Sequence, residues 1–162
     1  MDDERAFSGN GNILIVDDKL ENLKVLESTL TQRGYEVRKA INGSMALMGA
    51  TAEPPDLVLL DIKMPDMEGY EVCQQLKANP KTRDIPVVFL SALDDILDKV
   101  RAFAVGGVDY ITKPFQTEEI LVRVQNQLQS RHLQQQLQEQ NQQLDEVNQQ
   151  LTPSNHDLVR AT

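Results

Sequence analysis

Four short apolar runs constrain this chain more than any other feature: Ile13-Leu14-Ile15-Val16, Leu57-Val58-Leu59-Leu60, Val87-Val88-Phe89-Leu90 and the shorter Val108-Asp109-Tyr110-Ile111. A strand with one wet face alternates apolar and polar residues. Continuous apolar character belongs to parallel strands covered on both faces. A fifth run, Tyr35 to Ala40, alternates more and suits a sheet edge. Helical patterns fill the intervals. Leu20, Leu23, Leu26 and Leu30 form one stripe, with Gly34 placed to end the helix. Ser44 to Ala52 stops at Pro54-Pro55, Tyr70 to Ala78 at Asn79-Pro80, and Asp95 to Val105 at Gly106-Gly107.

Strand and helix therefore alternate five times. With right-handed crossovers this predicts an α/β fold, a flavodoxin-like, doubly wound, five-stranded parallel sheet (βα)5 whose ligand site lies at the carboxyl ends of the strands. The residues just beyond the apolar runs then meet on one edge: Asp17-Asp18, Asp61, Ser91 and Thr112-Lys113-Pro114. Three carboxylates brought together repel one another unless a divalent cation sits among them. Oxygen-only ligands, without histidine or thiolate, fit a hard ion such as Mg2+, for which Mn2+ could substitute. One carboxylate could be a nucleophile toward phosphorus, with Lys113 and Ser91 supplying an ammonium and a hydroxyl to balance the incoming charge.

These pieces carry a resemblance. Ile15-Val16-Asp17-Asp18, Leu60-Asp61-Ile62-Lys63-Met64-Pro65 with Gly69, Leu90-Ser91-Ala92, and Asp109 to Phe115 are each weak alone. In this order and spacing the stretch from Asn12 to Leu128 resembles response-regulator receiver domains of two-component signalling. The resemblance implies that Asp61 accepts a phosphoryl group from a phospho-histidine donor, on a sensor histidine kinase or a phosphotransfer protein. It implies Mg2+ on Asp17, Asp18, Asp61 and the backbone carbonyl of Lys63, phosphate contacts from Ser91 and Lys113, and an aromatic switch at Tyr110. Pro65 and Gly69 would shape the loop after the acceptor, and Lys113-Pro114 would be a cis peptide, which costs little before proline.

Two other readings compete with this one. A phosphohydrolase of the haloacid-dehalogenase type needs a second Asp two residues after the nucleophile, and position 63 is lysine; beyond self-catalysed transfer to Asp61 and its hydrolysis, no enzyme is expected. A pseudo-receiver that is never phosphorylated would not need the complete acceptor set. The chain could also be a fragment of a hybrid histidine kinase or diguanylate cyclase, with the output lying past Thr162.

The last helix does not stop at the domain's end. From Thr117, a candidate N-cap followed by Glu118 and Glu119, no Pro or Gly intervenes until Pro153. Twelve of the 26 residues from Gln125 to Gln150 are glutamine, a bias that could mean disorder. The apolar spacing argues for helix instead. Leu121, Val124 and Leu128 fit one heptad register, and Leu133, Leu137, Leu144, Val147 and Leu151 fit another, shifted near Ser130 to His132. The expectation is a disordered tail over 1–11, a domain over 12–128, a coiled-coil extension over 129–151 forming a parallel homodimer through 121–151, and a flexible tail or linker over 152–162.

The net charge of −9 argues against direct nucleic-acid binding, which needs clustered Lys and Arg. The acidic start is not read as a secretory signal, and no apolar stretch is long enough for a membrane span, so a cytoplasmic protein is expected. Cys73 has no cysteine partner and reads as a half-buried structural thiol. His132 and His156 read as solvent-facing.

Overall fold

The computed structural model describes residues 11–92 and 96–161, excepting the side chains of 96–98 and 151–161. Five strands, β1 (Asn12–Val16), β2 (Glu36–Ala40), β3 (Leu57–Asp61), β4 (Val87–Ala92) and β5 (Asp109–Lys113), alternate with α1 (Leu20–Thr31), α2 (Gly43–Ala52), α3 (Gly69–Ala78), α4 (Ile96–Ala104) and α5 (Thr117–Ala161). All strand pairs are parallel, in the order β2-β1-β3-β4-β5. The flavodoxin-like expectation is met, with β2 at the edge.

Period-two alternation divides each continuous apolar strand between two cores. Leu14, Val16, Val58, Leu60, Val87 and Phe89 pack with Ala46, Ala50, Val72, Leu76 and Ala102, which come from α2, α3 and α4. Ile13, Ile15, Leu57, Leu59, Val88 and Leu90 pack with Leu23, Leu26, Leu30, Ile120 and Val124, which come from α1 and α5. Each such side chain taken fully from water contributes roughly 1.5–3 kcal/mol, so no central strand could expose a face without large loss. β2, at the edge, carries exposed or half-exposed residues through Lys39.

Several local readings shift. Gly34 does end α1, with φ +89° and its N–H donating to the Thr31 carbonyl at 3.0 Å. Glycine takes that conformation without steric cost. Gly11, expected in a disordered tail, is instead buried; its carbonyl accepts from the Glu36 N–H at 2.8 Å, extending the β1–β2 pairing. Residues 1–10 of that expected tail lie outside the described residues. Cys73 is fully buried rather than half-buried, and burial pushes its thiol up to about 11, which leaves it protonated and inert.

The chain divides into two compact units after Leu128. In the second, the α5 backbone stays helical through Pro153 to Ala161, where a flexible tail was expected from 152. Proline's fixed φ is helix-compatible, and it removes one backbone donor rather than the whole ladder. Leu133, Leu137, Leu144 and Val147 are about half exposed. Among the described residues, no helix is long and apolar enough to cross a membrane.

Candidate functional site

Four strand ends build the site. Val16 closes β1, and Asp17 and Asp18 follow it; Asp61 is the last residue of β3, Ser91 lies in β4 and Lys113 closes β5. Asp61, Ser91 and Lys113 thus belong to the strands rather than to the loops beyond. Ladder pairing there fixes their backbones. Alternation sends Asp61 to the side of Leu57 and Leu59, and Lys113 to the side of Ile111. β5 is two strands from β3, about 10 Å away at ordinary strand spacing. The long lysine side chain spans that gap. Its Nζ lies 2.8 Å from Asp61 Oδ1 and 3.5 Å from Asp17 Oδ2.

Asp17 is completely buried. Its Oδ1 accepts the Lys19 N–H at 2.9 Å and its Oδ2 accepts the Asn22 amide at 2.9 Å. One carboxylate oxygen from each of Asp17, Asp18 and Asp61 lies within 4.8 Å of the others. Three such oxygens around one ammonium leave an excess of negative charge, two members of it under cover. This is a donor set that fits a hard divalent cation, with coordination positions left for water or a ligand oxygen.

Burial is the main cause that raises the Asp61 carboxyl; the Lys113 hydrogen bond opposes it and the Asp17 charge adds to it, so that Asp61 is pushed up to about 6. At neutral pH most of it is still ionised and able to act as a nucleophile. Ser91 is buried, and among the described residues its Oγ has no hydrogen-bond partner. An unsatisfied buried hydroxyl costs about 1–3 kcal/mol. Ser91 and Asp61 line one cavity of about 290 Å3 together with Asp18, Lys19, Lys63 and Lys113, so a ligand there is what could satisfy it.

The loop after Asp61 is held at both ends. Gly69 donates to the Ile62 carbonyl at 2.7 Å, and it sits so close to the Asp61 carbonyl oxygen that a Cβ would collide with it. Lys63 and Pro65 are exposed on this loop. The Lys113–Pro114 peptide is cis.

Tyr110 stands outside the cavity lining. It pairs across the β4–β5 ladder with Phe89, two positions before Ser91 pairs with Thr112. Its half-buried ring meets Phe103 edge-on at 6.0 Å, with Lys99 Nζ 4.5 Å from its centroid. His132 is exposed, its Nε2 3.1 Å from the Gln136 amide; the His156 side chain lies outside the described residues.

Two residues of consequence escaped the sequence reading. Asn22 orients Asp17, but an asparagine in the first turn of a helix carries no distinctive signal. Asp66 accepts from the Gly43 and Ser44 N–H groups at 3.1 and 3.2 Å and from the Ser44 hydroxyl at 3.2 Å, which tie the loop to the start of α2. The Gly43 hydrogen bond is the largest cause that holds the Asp66 carboxyl below its usual range. Its partner lies 23 residues away, so only folding reveals it.

Residues 13–125 match the family model of the response regulator receiver domain. The chain belongs to that family. The receiver is 44% identical over 115 residues to a "Probable transcriptional regulator ycf27" from Cyanidium caldarium, covering 71% of this chain and 45% of that protein. It is 42% identical over 117 residues to the response regulator PleD of Caulobacter vibrioides, covering 72% of this chain and 26% of that protein. A solved signal receiver domain of a signal transduction histidine kinase from Syntrophus aciditrophicus superposes with a TM-score of 0.69 at 36% identity, over 75% of this chain and 92% of that one. The chain thus spans less than half the length of these curated relatives.

Proposed function

We propose that this receiver accepts a phosphoryl group on Asp61 from a phospho-histidine of a sensor kinase or phosphotransfer protein. An Asp61 oxygen attacks phosphorus, the P–N bond breaks as the P–O bond forms, and the imidazole leaves. The observation that carries this reading is the Asp61 carboxylate itself, buried at a strand end, 2.8 Å from Lys113 Nζ and beside Ser91, the buried hydroxyl without a partner. Mg2+, or Mn2+ in its place, would be held by Asp17, Asp18, Asp61 and the Lys63 backbone carbonyl, and would offset charge on the transferring group. Lys113 and Ser91 would take the remaining phosphate oxygens. Pro65, Gly69 and Pro114 keep the flanking loops in shape around them.

Phosphorylation adds close to two negative charges. Ser91 moving to the phosphate would empty space along β4, and the half-buried Tyr110 ring on the neighbouring strand is placed to follow it. The change would pass to a parallel homodimer formed through 121–151, and from there to an output carried by a longer protein, a hybrid kinase or cyclase among them.

The test is intact-mass spectrometry of the chain incubated with Mg2+ and a small-molecule phosphoryl donor such as acetyl phosphate. A single phosphoryl adduct is expected, abolished in Asp61→Asn and slowed on the order of 100-fold or more in Lys113→Ala, the scale of removing one charge-stabilising group. A folded wild-type chain that gains no phosphoryl group, and binds no beryllofluoride with Mg2+, would overturn the proposal.

A further inference from the structure

The second unit distributes its polar residues by kind. With Leu133 and Val147 at d and Leu137 and Leu144 at a, the heptad register is continuous, and the one polar member among the described core positions from Leu133 onward is Gln140, at d. The flanking e positions are Gln134, Asn141 and Asn148; the flanking g positions are Gln136, Gln143 and Gln150. Every one is an amide. All ionisable side chains between 129 and 150, namely Arg131, His132, Glu139, Asp145 and Glu146, fall at b or c, on the outward side. Coiled coils ordinarily choose partners by charged e and g residues. Between 129 and 150 those places carry no charge.

Resting on the homodimer reading above, we infer that the half-exposed Leu/Val stripe is a seam for a second copy of this chain, selected by neutral amides and set in parallel register by Gln140. An amide both donates and accepts, so glutamine is complementary to glutamine. A charged flank would instead call for a partner of opposite sign. The direction follows from core geometry. In a parallel pair d faces d, and Gln140 meets Gln140, each amide satisfied by the other. In an antiparallel pair d faces a, and positions 137, 144 and 151 are all leucine, which would bury each Gln140 amide without a partner. With no charge pairs flanking the seam, salt has no attraction to screen and acts only on the repulsion between two copies of net charge −9, so association does not weaken as salt rises.

Sedimentation equilibrium of the full chain at low and high salt, combined with disulfide trapping, tests this. A dimer constant that weakens by no more than about threefold between 50 and 500 mM salt is expected. Gln140→Cys should form an interchain disulfide at least roughly tenfold faster than the outward Glu139→Cys, whose Cβ atoms are held too far apart. Gln140→Leu should tighten association on the order of tenfold, with species larger than a dimer appearing as the register loosens. A dimer that weakens steeply with salt, that traps equally at 139 and 140, or that ignores Gln140→Leu overturns the amide seam and leaves the homodimer reading standing. A chain that stays monomeric at every concentration overturns both.

Discussion

The carboxyl edge of the sheet and the helical extension past Leu128 treat charge in opposite ways. At the sheet edge, Asp17 and Asp61 are forced under cover with Lys113 between them. In the extension, apolar residues lie half exposed, and between 129 and 150 every ionisable residue falls at heptad position b or c. Buried like charges are costly and persist where chemistry needs them. The seam we infer for the extension would need only to find its own copy, a task served by groups with no net charge. The contrast also separates stability from assembly: the apolar residues of the central strands are buried within the first unit, whereas Leu133, Leu137, Leu144 and Val147 of the second are about half exposed.

That contrast can be broken or sharpened by measurement. The largest effect separates covered from uncovered residues on one helix. Ile120→Ala, at a fully buried position, should cost about 2–5 kcal/mol in urea unfolding, whereas Leu137→Ala should change it by less than about 0.5 kcal/mol while weakening self-association. Equal losses would mean that the extension supports the domain's stability.

A smaller effect lies at Asp61. Its carboxyl is raised in the folded state to about 6 from an ordinary 3.8, so the folded chain holds this proton more tightly than the unfolded one. Its contribution is therefore fully present below about pH 4 and is lost as pH rises through about 6. In metal-free buffer at neutral pH, Asp61→Asn should stabilise the chain by about 1–3 kcal/mol. The two proteins should converge toward pH 4, and added Mg2+ should stabilise the wild type alone. A metal-free wild type as stable as the variant at neutral pH would mean that the covered charge carries no such cost.

The smallest effect is at Ser91. Ser91→Ala removes a hydroxyl that has no partner and should leave stability unchanged or raise it by up to about 1 kcal/mol, while beryllofluoride affinity falls. Clear destabilisation would show that the hydroxyl already has a structural role.

Much of this was readable before folding. The central apolar runs could only be buried parallel strands, and the polar residues following them had to meet on one edge. Strand ends were less legible. Polar character at Ser91 and Lys113 suggests that β4 and β5 have already ended, whereas the ladder continues through them to Ala92 and Lys113. Gly11 was lost to the tail for a similar reason, its backbone pairing leaving no mark in side-chain pattern. Cys73 looked half-buried because a small side chain on an amphipathic helix says little about how tightly the helix packs.

By itself the sequence determined the order of elements, the two-sided sheet, and the identity of the acid cluster and its lysine, since all of these depend on periodicity and residue type. Only the tertiary structure decided which charges are covered. It turned Asp17 fully inward against Asn22, left Asp18 in the open, carried Lys113 across β4 to Asp61, and tied Asp66 to the start of α2. The physical reason is that desolvation and hydrogen bonding depend on what the rest of the chain places around a group, and at the sheet edge those neighbours come from strands and helices far apart in the chain.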